Sequence, residues 1–128
     1  MYLSITGVTA DKKLAKYQPF DLEADANTHA AEYGGFVVED PGGNNEFWTV
    51  DASAKTVTHD VDAEAAAILS SNWVTLRVER DGLLVETDWY ANSDVTMSND
   101  MKTYRQALRD LPANTADPTD VTWPTKPS

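Results

Sequence analysis

Arg77-Val-Glu-Arg80-Asp-Gly-Leu83-Leu84-Val-Glu-Thr87-Asp88-Trp89 and, further on, Met101-Lys-Thr-Tyr104-Arg105-Gln-Ala-Leu108-Arg109-Asp110-Leu111-Pro112 are the two stretches from which the C-terminal architecture is read. In the second, Met101, Tyr104, Leu108 and Leu111 fall at i, i+3, i+7 and i+10, one apolar face of a helix. Ser98 is placed to cap it and Pro112 to end it. The first stretch reads as a preceding helix. Gly82, with Val74, Thr75, Val78 and Val85 around it, predicts that this helix is short or kinked, because glycine costs a helix interior about 1 kcal/mol relative to alanine. Thr87-Asp88-Trp89 marks its exit, and Trp89 is expected to pack across the mouth of the hairpin near Tyr104. Residues 113–121 turn to Asn, Thr, Asp and Pro, a linker composition. Trp123-Pro124-Thr-Lys-Pro127 then reads as an extended segment with one large apolar anchor.

Upstream, Met1 to Thr9 is β-branched and mildly alternating and suggests an opening strand. Asp25 to Tyr33 reads as a short helix capped by Asp25 or Asn27, with Gly34-Gly35 as its left-handed exit. A strand is expected at Phe36 to Glu39. Pro41-Gly-Gly-Asn-Asn45 is a turn signal, and Glu46 to Val50 and Thr56 to His59 flank Asp51 to Lys55 as a hairpin. Whether Phe47 and Thr49 or Trp48 and Val50 face inward is open. Asp60 or Asp62 can cap a helix over Ala63 to Leu69. The fold class is therefore α+β: short antiparallel strands with one or two short helices, then a helical hairpin and an extended Pro-bounded tail. The expected divisions are 1–72, 73–112 and 113–128.

Charge and composition exclude several functions. The 128 residues carry 21 acidic and 10 basic side chains, a net charge of −11. From Tyr17 to Leu76 there are 11 acids and one base, Lys55, a pattern that repels nucleic acid and anionic membrane. No cysteine is present, which removes disulfides and thiol chemistry and fits a reducing cytoplasm. No apolar run approaches the ~20 residues of a membrane span, and Met1-Tyr-Leu-Ser-Ile-Thr lacks the basic start of a signal peptide.

No enzyme constellation assembles. Asp60-x-Asp62-x-Glu64 offers hard oxygen ligands, but a calcium loop would need glycine where Ala65 stands and an acid where Ser71 stands. Helix capping is the better reading, and no metal or cofactor is expected. His29 and His59 are the only imidazoles, without the partners of a hydrolytic triad or a zinc site. Gly34-Gly35 and Gly42-Gly43 lack the Lys-Ser/Thr of a phosphate loop and read as turns.

Across residues 77 to 127 the chain resembles the C-terminal module of bacteriophage tail assembly chaperone proteins, also found on some phage tail-fibre proteins. The residues that carry the likeness are Arg77, Arg80, Leu83, Leu84, Thr87, Asp88, Trp89, Asp94, Tyr104, Arg105, Leu108, Arg109, Asp110, Trp123 and Pro124, in that order and spacing. The resemblance implies a non-enzymatic protein that binds a phage tail or tail-fibre protein in the host cell cytoplasm during assembly. An alternative is a permanent tail or fibre component of the virion, and a distant third is an acidic mimic of DNA. A homo-oligomer is compatible with each.

The arginines admit two roles. Arg77, Arg80, Arg105 and Arg109 can pair with Glu79, Glu86, Asp88 or Asp110 inside the hairpin. Alternatively, Arg80 and Arg109 stay outward and join Trp89, Tyr104 and Trp123 as anchors for a partner, the residue types favoured at binding hot spots.

Overall fold

A computed structural model describes residues 1–128. The chain is α+β, with strands β1 (Tyr2–Val8), β2 (Leu14–Phe20), β3 (Phe36–Glu39), β4 (Trp48–Asp51) and β5 (Thr56–His59), and helices α1 (Glu23–Tyr33), α2 (Val61–Val85) and α3 (Asn99–Asn114). It divides into two compact units, Met1–Ala66 and Ala67–Ser128.

In the first unit β1 is the central strand, flanked antiparallel by β2 and β3. Strands β2 and β3 therefore run parallel to each other, and α1 makes the crossover that a parallel pair requires. Alternation along β1 sends Leu3 and Ile5 to one face, where they form a core with Trp48 and Val50 of the β4–β5 hairpin. Trp48 and Val50 are thus the inward pair in β4. The Trp48 indole N–H donates to the Gly42 carbonyl at 2.8 Å, so the ring is buried without losing its polar handle. Helix α1 covers the sheet's other face, burying Ala26 and Ala30, and His29 Nδ1 shares a 3.0 Å hydrogen bond with the buried Ser4 Oγ.

Backbone geometry decides two glycines, one by close approach and one by its positive φ. A Cβ on Gly35 would stand 2.3 Å from the Ile5 carbonyl oxygen, so only glycine lets β3 pair with β1 there. Gly34, at φ 74°, supplies the left-handed exit of α1 and its N–H bonds the Ala30 carbonyl.

Several expectations need correction. Strand β2 has no counterpart in the sequence reading, because it is an edge strand whose middle residues are all exposed and show no buried alternation. Helix α1 starts at Glu23, with Leu22 at the cap position and no side-chain cap. Asp25 lies inside its first turn, where the helix dipole favours an acid. The two helices expected around Ala63 to Leu69 and before Thr87 are one continuous α2 that runs through Gly82. Pro112 does not end α3, which continues to Asn114. Proline's fixed φ is compatible with a helical turn, and near the C-terminus its missing N–H forfeits only one bond. Asp60 caps α2, its Oδ1 accepting from the Ala63 N–H at 2.9 Å. No helix is long and apolar enough to cross a membrane.

Gly35→Ala is expected to lose about 2 kcal/mol in urea unfolding followed by circular dichroism, since the new methyl has no room. Gly82→Ala is expected to gain about 1 kcal/mol, because its Cβ would meet no atom within 4 Å and helix propensity alone changes. A loss at Gly82 would show that the glycine serves packing.

Candidate partner-binding surface

The second unit is a hairpin of α2 and α3. Met101, Tyr104 and Leu108 form its buried core, with Leu83, Leu84, Tyr90, Met97 and Trp123 packed around them. Leu111 and Leu76 are buried as well. The Ser98 Oγ accepts from the Met101 N–H at 3.2 Å and starts α3 as its sequence position foretold. Burial of Leu76, Leu83 and Leu84 on one side of α2 explains why the helix tolerates Gly82 and four β-branched neighbours: packing outweighs a propensity cost near 1 kcal/mol.

Arg105 locks the hairpin. Only 8% exposed, it donates from Nη1 to the Leu84 carbonyl at 2.9 Å and to Thr87 Oγ1 at 2.5 Å, and from Nη2 to Asp88 Oδ1 at 2.9 Å. Thr87 is fully buried, and its own hydroxyl donates back to the Leu84 carbonyl. The guanidinium thereby joins the Thr87 N–H and hydroxyl as a third donor to the Leu84 carbonyl, at the helix's negative pole. Its planar fork is what allows one side chain to serve three acceptors. Sequence reading had Arg105 as a candidate pair for Asp88 but not as an anchor. The signal that points to it is Thr-Asp directly after a helix, facing an arginine about two turns into the next.

The five residues singled out from sequence occupy different settings. Tyr104 is 5% exposed inside the hairpin and supports the surface from below. Trp123 is half-buried against the same core. Trp89 does not cross the hairpin mouth: it is 52% exposed and stacks on Tyr90 at 3.8 Å, and Tyr90 takes the packing position instead. A 3-10 turn over Asp88–Ala91 brings about this exchange between neighbouring aromatics. Arg80 is half-buried and pairs with Asp81 at 2.8 Å. Arg109 is exposed, with Nη1 donating to Gln106 Oε1 at 3.3 Å.

Beyond α3 the chain makes an Asx turn: the Thr119 N–H and hydroxyl both donate to Asp117 Oδ1, at 2.9 and 2.7 Å, while Pro118 is buried. These bonds hold the Asp117 carboxyl below the usual carboxylate range. Its folded-state value is depressed, so whatever it contributes is present at neutral pH and lost as the pH falls through that lowered value. Trp123 then sits between two clefts. One, lined by Asn72, Leu76, Glu79, Pro118 and Val121, lies where the tail returns along α2. The other is an open, mainly apolar groove of about 610 Å³ between α3 and the tail, walled by Thr103, Gln106, Ala107, Asp110, Trp123 and Pro124. On α3 the groove residues lie on the opposite flank from Arg105. Arg109 borders the groove through its bond to Gln106, and the exposed Trp89 is a separate candidate contact.

The acidic cluster in the first unit is engaged locally. Glu64 accepts from the Asn44 N–H at 3.0 Å and pairs with His59 Nε2, and Asp60 caps α2. These groups fasten the Pro41–Asn45 turn.

A helical hairpin locked by a buried arginine, with a proline-bearing tail returned onto it, defines the C-terminal unit as a compact helical module with an accessible groove. Residues 73–128 match the family of phage tail assembly chaperone proteins. The match covers somewhat under half of the chain. No curated protein and no solved structure matches it.

Arg105→Met is expected to cost about 3 kcal/mol, since it removes the donor to the buried Thr87 hydroxyl and the partner of Asp88, and Arg105→Lys should recover little of it. Trp89→Ala is expected to cost less than about 1 kcal/mol, because the ring is half in water. Urea titrations of the three variants check both statements, and a Trp89→Ala loss near 3 kcal/mol would return that ring to the core.

Proposed function

We propose that this protein assists the assembly of a phage tail or tail fibre by binding a tail or tail-fibre protein in the host cell cytoplasm, without performing chemistry. The observation that carries the proposal is the match of residues 73–128 to phage tail assembly chaperone proteins. In this reading the hairpin and tail, residues 73–112 and 113–128, form the binding module, and residues 1–72 form a separate domain. The physical task is masking: apolar or strand-edge surface on the client stays covered until its structural partner arrives. Such a task asks for shape and anchors. The open apolar groove beside Trp123 supplies a receptacle for client side chains, and the exposed Trp89 and Arg109 supply the residue types that dominate binding energy. The net charge of −11 supports a protein client over nucleic acid.

Mass spectrometry of gradient-purified particles and of infected lysate tests this directly. The protein is expected in lysate, bound to a tail or tail-fibre protein on pull-down, and absent from particles. Fixed copy number in particles would make it a virion component instead. Ala107→Arg, which fills the groove from its wall, is expected to weaken client capture at least tenfold while leaving the circular dichroism spectrum unchanged. Loss of capture in Trp89→Ala alone, with Ala107→Arg neutral, would move the contact to the Trp89 side.

A further inference from the structure

We infer that α2 docks against a second copy of this chain in antiparallel orientation, through the face it turns away from α3. Within the C-terminal unit one side of α2 packs Leu76, Leu83 and Leu84 inward. On the opposite side Ala67, Ser71, Val74, Val78, Asp81 and Val85 recur at alternating steps of four and three, the rhythm of a helix-to-helix seam. All are exposed, and Val74, Val78 and Val85 are 57%, 64% and 67% so. Valine is a mediocre helix former and gains nothing from water, so a row of valines on an outer face is accounted for by a surface that covers it. Gly82 lies beside the row, and a Cβ there would meet nothing, which leaves a flat spot where another backbone can come close.

Charge selects both the occupant and its direction. A parallel, in-register pair would set Asp81 against Asp81 of the second copy in the seam, a like-charge contact. An antiparallel pair with its two-fold axis between residues 79 and 80 instead sets Val74 against Val85 of the second copy. Val78 then meets Asp81 of that copy, and Arg77, on the flank beside Val78, reaches its carboxylate. Two-fold symmetry makes each contact twice. The groups are available. Both contacts from Arg80 fall on Asp81 Oδ1, which leaves Oδ2 without a partner. Arg77 takes part in no salt bridge and rests over the Trp73 ring at 5.7 Å.

The seam is short. In this register the two helices face each other from Val74 to Val85, about 17 Å at the helical rise, and a helix pair that short falls below ~1,200 Å². The dimer is accordingly weak, of the class that forms and dissociates readily.

Sedimentation equilibrium of the full chain from about 10 to 500 µM is the first test, and a monomer–dimer equilibrium is expected. Val78→Asp should hold the chain monomeric with an unchanged circular dichroism spectrum. Arg77→Glu should weaken the dimer about fivefold or more, and adding Asp81→Arg should restore it. The chain has no cysteine, so Val74→Cys and Val85→Cys report orientation cleanly. Under mild oxidation the two variants mixed should form a heterodimeric disulfide, and neither should cross-link efficiently with itself. A chain monomeric throughout, a dimer that survives Val78→Asp, or self-cross-linking of Val74→Cys that outpaces the mixed pair would each overturn the proposal.

Discussion

A guanidinium held inside a small helical unit is expensive to desolvate, and Arg105 remains there because Leu84, Thr87 and Asp88 meet it with three acceptors. Everything else in the C-terminal unit takes its place from that bond set. It braces the point where α2 stops, because Arg105 and Thr87 both bond the Leu84 carbonyl. It fixes the angle at which the chain leaves, because Thr87 is buried and pinned from both sides. It then brings α3 back so that Met101, Tyr104 and Leu108 meet Leu83 and Leu84. The outer surface of the unit is thus set by a buried contact.

The same logic explains what could and could not be read from the residues. Helix α3 was legible because its apolar positions keep a single period and its cap is a serine in the expected place. The β4–β5 hairpin was legible from its turn residues, and the exit of α1 from Gly34. Strand β2 was not, since an edge strand exposed through its middle residues offers no alternation to detect. The continuity of α2 was not, since propensity argues locally and Leu76, Leu83 and Leu84 argue through tertiary burial. The exchange of Trp89 and Tyr90 is a matter of one residue of register in a 3-10 turn, below what spacing alone resolves.

For the binding surface the split is chemical. Residue types suited to recognition were visible in the chain, but the type does not say which side is wet. Tyr104 and Trp123 serve largely inward, Trp89 and Arg109 outward, and the groove beside Trp123 depends on a tail whose return is set by an Asx turn and a buried proline. None of these dependencies has a periodic signature.

The edge strand β2 carries one further consequence. An open sheet ends in unpaired backbone groups that invite any passing strand. The outer border of β2 carries Lys16 and Pro19, and its pairing with β1 is interrupted by a bulge at Gly7. A charged side chain, a residue without an N–H and a local twist all discourage strand addition. The opposite border, β3, is only four residues long. The sheet is built to refuse templated growth at either border, so a concentrated solution of the chain is protected from strand-to-strand association.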